Sequence, residues 1–155
     1  MPLARARCSA SLSPWARGLR PVAAVAPGVA AATGLSLQQL AAALVGQLRP
    51  AAVVCVDSLC SAEGQRLGRT VQFSDSGLYP AQADHTRHLT RDTLGVPVVA
   101  AGIPTLMQAQ EGADLVVTPR ALDSVIAHGA ALLAGSVNRA LQPRLTVQQL
   151  CWLTG

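Results

Sequence analysis

The sequence predicts an α/β fold, a three-layer sandwich in which helices cover a mostly parallel sheet. Three observations carry that prediction. Strand-like apolar runs alternate with helix-like segments along the chain, as strand–helix–strand units require. The run "AAVVCVD" (51–57) is apolar on both faces until its acid, as a central strand covered on both sides must be. Half of the 155 residues are hydrophobic but only 3% are aromatic, so the core has to be built from Ala, Val and Leu packed closely between sheet and helices.

The elements follow in order. Residues 1–17 carry Arg5, Arg7 and Arg17 and no acid, a composition shared by transit peptides and weak signal peptides. Pro27, Gly28 and Gly34 interrupt the apolar stretch behind them, so residues 1–17 read as an irregular tail and 18–155 as a single α/β domain. "VAAVA" (22–26) reads as a short strand stopped by Pro27-Gly28. Ser36 is an N-cap for a helix over 37–48, whose residues Leu37, Leu40, Ala41, Leu44, Val45 and Leu48 keep the 3.6 period; Arg49-Pro50 ends it.

After the strand at 51–56, residues 58–68 read as a loop or short helix, and "RTVQFSD" (69–75) as a strand with one wetter face. Residues 76–93 form a long polar loop. "VPVVAAG" (96–102) is another buried strand, and "IPTLMQAQ" (103–110) starts a helix with Pro104 in its first turn, where a missing N–H matters little. "DLVVTP" is extended, 120–141 a long helix, and Thr146 caps a last helical turn through Leu153.

Composition excludes several function classes. No window offers eighteen uninterrupted apolar residues, so no membrane partner is expected. The net charge of +4 rests on scattered Arg without a single Lys, and the aromatics that would stack bases are nearly absent, so no direct nucleic-acid partner is expected. The four cysteines form no CxxC and the three histidines have no ligand spacing, which leaves no metal site and favours reduced, buried thiols. "GVAAATG" (28–34) could let backbone amides approach a phosphate, but it lacks the GxGxxG order and any Lys, so no cofactor is expected.

In open α/β sheets the chemistry lies beyond the carboxyl ends of the strands. Asp57 and Asp75 both fall at such predicted ends. Asp57 is either a half-desolvated carboxylate, with the raised pKa that suits proton transfer, or the cap of the turn at 58–61. Asp75, in "FSDSG", is either an Asx-type turn residue or a second acid able to share a proton with Asp57. Cys60 is a nucleophile candidate without a neighbouring His. His85 and His88 read as solvated loop residues, and His128 as a partly buried helical residue.

The order of the motifs adds a resemblance. "RPVAAVAPGVAAATG", "VVCVDSLCS", "TVQFSDSGLYP", "RDTLGVPVVAAGIPTL" and "DLVVTPRALDSVIAHGAALLAGSVNRAL" resemble, in that order, segments of the germination protease (spore protease) family of endospore-forming bacteria. The resemblance covers about Gly18 to Leu141. It implies a fold similar to the hydrogenase maturation proteases. It also implies an atypical aspartic endopeptidase, made as a self-cleaving zymogen, that forms a homo-oligomer and degrades small acid-soluble spore proteins during germination in the forespore or spore core cytoplasm.

Of the two aspartates the family is thought to use, Asp57 in "VDSL" matches the one in an Ile-Asp-Ala-Leu motif. The other, in an upstream Thr-Pro-Asp segment, has no counterpart, and the family's first strand and helix are expected to be missing. Tyr79 stands where the family usually has His. The resemblance therefore implies a truncated or divergent endopeptidase. The alternative is a non-catalytic remnant that binds a protein partner.

Overall fold

The computed structural model describes residues 18–28, 34–79, 88–108 and 116–154. The tail at 1–17, most of the "GVAAATG" loop, His85 and residues 109–110 lie outside the described residues.

Helix α1, Leu37–Leu48, starts where the sequence says it should. Ser36 Oγ accepts the Gln39 N–H at 3.2 Å, and Gln39 Oε1 accepts the Ser36 N–H at 2.9 Å, closing a capping box. Arg49 ends the helix in the left-handed region, φ 48°, and its N–H returns to the Val45 carbonyl at 2.8 Å. The helix lays Leu37, Ala41 and Val45 on the sheet.

The sheet has four strands: β1 (Val53–Ser61), β2 (Gln72–Ser74), β3 (Val98–Gln108) and β4 (Val116–Val117). A 3₁₀ turn at Gly64–Arg66 joins β1 to β2, and a short helix α2, Arg91–Leu94, precedes β3. The order is β1-β3-β2, with β4 also on β3. β1 and β3 are parallel from Val53–Val98 to Leu59–Pro104, with a bulge between Leu59 and Cys60. β2 and β4 both run antiparallel to β3. The sheet is thus mixed rather than mostly parallel. Local patterning marks a strand but carries no sign for its direction.

Two expectations about the ends of strands are corrected. β1 continues past Asp57 to Ser61, so residues 58–61 are strand and not loop. β3 continues through Pro104, where a helix was expected. The register shows why Pro104 is tolerated. Gly102 pairs with Gln72, the first residue of β2, so Pro104 faces the β2 side where that strand has not yet begun. No ladder bond is lost, and the Pro104 carbonyl accepts the Gly68 N–H at 2.6 Å.

Residues opposite one another in a sheet share a face. One face carries Cys55, Val98 and Ala100, which are buried with Leu78, Leu89 and Leu94 beneath α1. The opposite face carries Val54, Val56, Val99 and Phe73, all exposed, with Phe73 at 64%. Further along that face Ile103 meets helix α3, Leu122–Leu141, where any side chain at Gly129 would collide with Ile103.

The chain divides into two compact units, and the boundary falls within α3. Pro27–Leu133 contains the sheet; Ala134–Gly155 and the described part of Met1–Ala26 form the other. In the second unit, helix α4, Val147–Thr154, is capped by Thr146, whose Oγ1 accepts the Gln149 N–H at 3.2 Å. The Gln142 amide brackets the Arg20 backbone, accepting at 2.9 Å and donating at 2.7 Å. Residues 22–26 are exposed and irregular, not a strand. Two valines among alanines give too little apolar area to hold a strand without a neighbour. No helix of the described residues is long and apolar enough to cross a membrane.

Candidate active site

Asp57 lies in the middle of β1, level with Gly102 on β3 and Gln72 on β2. It shares the face of Cys55 and Leu59, yet it is exposed while Cys55 is buried and Leu59 half-buried against the same cluster. Neither reading of Asp57, a half-desolvated carboxylate at a strand end or the cap of a turn at 58–61, matches its place: the carboxylate is mid-strand and exposed, and 58–61 is strand. One protein group meets it: Ser58 N–H donates to Asp57 Oδ1 at 2.8 Å. Gly102 allows β1 to approach β3 here, since a Cβ at that position would collide with the Asp57 carbonyl and with Leu59.

Cys55, two residues earlier on the same face, reports the charge of Asp57. Burial pushes the Cys55 thiol up from its ordinary value, and the nearby Asp57 carboxylate pushes it further. Cys55 is therefore a protonated core thiol at neutral pH and no nucleophile. Cys60, beyond the bulge, is a free, exposed thiol.

Asp75 follows the last residue of β2 and is exposed. Its turn is organised by serines rather than by its carboxylate: Ser74 Oγ accepts the Ser76 N–H at 3.2 Å and lies 2.7 Å from Ser76 Oγ. Ser74 pairs with Ala100 and Asp57 with Gly102, so extending the register sets Asp75 level with Val99. That is two strands across and three residues along from Asp57, a separation of roughly 14 Å between their Cα atoms. The structure does not bring the two acids together.

The rest of "FSDSGLYP" is held by Gly77, φ 107°, where a Cβ would collide with the Leu89 carbonyl. Leu78 and Leu89 then exchange backbone bonds of 2.9 and 3.1 Å. Tyr79 donates to the Ser76 carbonyl at 3.3 Å and meets His88 edge-on at 5.0 Å.

A second feature has no signal in the sequence. A cavity of about 240 Å³ lies on the face opposite Asp57, lined by Arg69, Thr70, Ile103, Val125, His128 and Gly129 among others. His128 is exposed rather than partly buried, and its Nδ1 lies 2.8 Å from the Ser124 carbonyl. A carbonyl can only accept, so Nδ1 donates in this contact. These residues lie far apart in the chain, and no local pattern links them. No group of three or more His, Cys, Asp or Glu placed to hold a metal occurs among the described residues.

Comparison with known proteins places this geometry. The profile of the germination protease family matches residues 12–111, most of the sheet unit and with it Asp57 and Asp75. The chain belongs to the germination protease family. It is similar to the germination protease of Halalkalibacterium halodurans, 37% identical over 113 aligned residues, covering 72% of this chain and 29% of that one. The germination protease of Clostridium perfringens strain 13 is 28% identical over 180 residues, covering 85% of this chain and 55% of that one. That of Bacillus subtilis strain 168 is 38% identical over 94 residues, 59% of this chain and 26% of that one. The chain thus spans about half the length, or less, of these family members.

Proposed function

We propose that the chain derives from an atypical aspartic endopeptidase acting on small acid-soluble spore proteins, with Asp57 as its surviving catalytic carboxylate. The observation that carries the reading is an aspartate in "VDSL", at the position of the aspartate in the family's Ile-Asp-Ala-Leu motif, unpaired with any cation among the described residues. In the chemistry this implies, the carboxylate takes a proton from water as the water oxygen bonds to the scissile carbonyl carbon. The C–N bond then breaks and the proton passes to the leaving amine. A second, protonated acid would polarise the carbonyl, and Asp75, roughly 14 Å away by register, is not positioned for it.

The same reading carries a zymogen origin, a homo-oligomeric state, a three-layer fold akin to the hydrogenase maturation proteases, and a place in the spore interior. The test is incubation of the purified chain with a small acid-soluble spore protein. Discrete fragments that vanish in Asp57→Asn support the reading; their absence overturns it. The exposure of Asp57 and its distance from Asp75 favour a second reading, a non-catalytic remnant that binds the spore protein without cutting it. Retained binding with no fragments is its signature.

A further inference from the structure

Arginines scattered along the sequence are gathered by the fold in the smaller unit. Residues 1–26 and 134–155 hold Arg5, Arg7, Arg17, Arg20, Arg139 and Arg144, half of the chain's 12 basic residues, and none of its 8 acids. Two segments 122 residues apart meet there. The Gln142 side chain accepts the Arg20 N–H at 2.9 Å and donates to the Arg20 carbonyl at 2.7 Å, as a neighbouring strand would. This clasp sets Gly18 and Arg20 against Pro143 and Arg144. A cavity of about 170 Å³ lies between them, lined by Gly18, Arg20, Gln142, Pro143 and Arg144. Arg144 Nη1 comes within 3.4 Å of where a Cβ on Gly18 would sit, and Gly18 is at most about 7 Å from Arg20 along the chain. Arg139 Nη1 donates to the Pro143 carbonyl at 2.8 Å, at the same corner.

Exposed arginines on a solvated surface need no partner. What sets this corner apart is the clasp, which holds the backbone of one arginine beside another with two directed bonds. Like charges gathered this way repel unless something offsets them. The end of α3, at Leu141, offsets part of the repulsion, because a helix C-terminus carries the equivalent of about −0.5 charge. Arg20, Arg139 and Arg144 together leave a surplus of about two and a half positive charges, and the unit has no aspartate or glutamate to answer it.

We propose that this cavity is an oxyanion site that takes a phosphate group between the guanidinium forks of Arg20 and Arg144. Each fork presents paired N–H donors that match two oxygens. Two forks on one centre call for at least three acceptor oxygens, which a phosphate has and a carboxylate lacks. Aromatic residues are only 3% of the chain, so little is present to stack a base. The group recognised is the phosphate itself, on a small molecule or on a nucleic-acid backbone. The inference goes beyond the endopeptidase reading and does not rest on it.

The test follows the arginine Nε signals of the whole chain by NMR while inorganic phosphate is added at constant ionic strength. Phosphate should move Arg20 and Arg144 saturably, at least about tenfold more tightly than acetate does, and leave Arg91 of the sheet unit unmoved. Arg20→Gln should weaken phosphate about tenfold or more. Arg144→Lys keeps the charge and loses the fork, and Gln142→Leu keeps both arginines and breaks the clasp; each should weaken phosphate too. Native affinity in either variant would reduce the site to diffuse charge and overturn the proposal. So would a response that does not saturate, or acetate or oligoglutamate bound as tightly as phosphate, the last assigning the corner to an acidic polypeptide. A short single-stranded oligonucleotide that moves the same two signals at lower concentration than phosphate assigns the group to a nucleic-acid backbone. One that does not assigns it to a small phosphate, and either result upholds the site.

Discussion

The two faces of the sheet are made of similar residues and live in different surroundings. Under α1, Val98 is 2% exposed and Ala100 6%; across the same strands Val56 is 56% exposed and Val99 37%. Composition cannot tell these valines apart. What separates them is cover: α1 and the Leu78–Leu94 segment lie on one face, while on the other α3 meets Ile103 and Ala101 is buried but Val56, Val99 and Phe73 are not. β1 crosses both surroundings, with Val56 on the open face and the exposed Asp57 beside the buried Cys55 on the other.

The largest effect expected from breaking this arrangement lies between β1 and β3. Gly102→Ala puts a methyl group into the Asp57 carbonyl and Leu59, where backbone cannot yield. Loss of more than about 3 kcal/mol, read by chemical denaturation, is expected from such a collision. A smaller loss would mean that β1 can shift along β3, and that the row Asp57–Gly102–Gln72 is softer than the register implies.

Next comes the covered face. Leu89→Ala empties a site 3% exposed in the buried cluster and should cost about 2–5 kcal/mol. The matching change on the open face, Val56→Ala, should stay within about 0.5 kcal/mol. Equal losses at the two sites would show that the open face is covered in solution, and the contrast between the faces would then belong to the isolated chain alone.

How much of this was legible in the sequence follows the range of each interaction. α1 was read correctly at both ends, because Ser36, the 3.6 period and Arg49-Pro50 are local signals. α3 and the Thr146 cap were read for the same reason. Pro104 misled, because a proline at the start of an apolar run fits a helix N-terminus as well as a strand position that faces no partner. The mixed direction of the sheet, the open face beside Val56 and the gap between Asp57 and Asp75 are all consequences of register. Register joins residues tens of positions apart, and it is absent from any local window. The sequence singled out Asp57 for its motif, but the phase that turns its backbone N–H and carbonyl toward β3 follows from the Val53–Pro97 bond.

The smallest effect reads the charge of Asp57 from Cys55, its buried neighbour on the same face. The folded chain holds the Cys55 thiol proton more tightly than the ordinary value of 9.0, first through burial and second through the Asp57 carboxylate. The sign follows from linkage: below the unfolded value both states keep the proton and stability is level. As pH rises past about 9 the unfolded chain releases its proton first, and stability falls. Asp57→Asn removes the second cause and keeps the first. In a background with Cys8, Cys60 and Cys151 changed to Ser, thiolate absorbance should then show Cys55 titrating lower than with Asp57 present, yet still above its ordinary value. A Cys55 titration indifferent to Asp57→Asn would mean that the carboxylate's charge is screened by solvent and is not felt across one pleat of the strand.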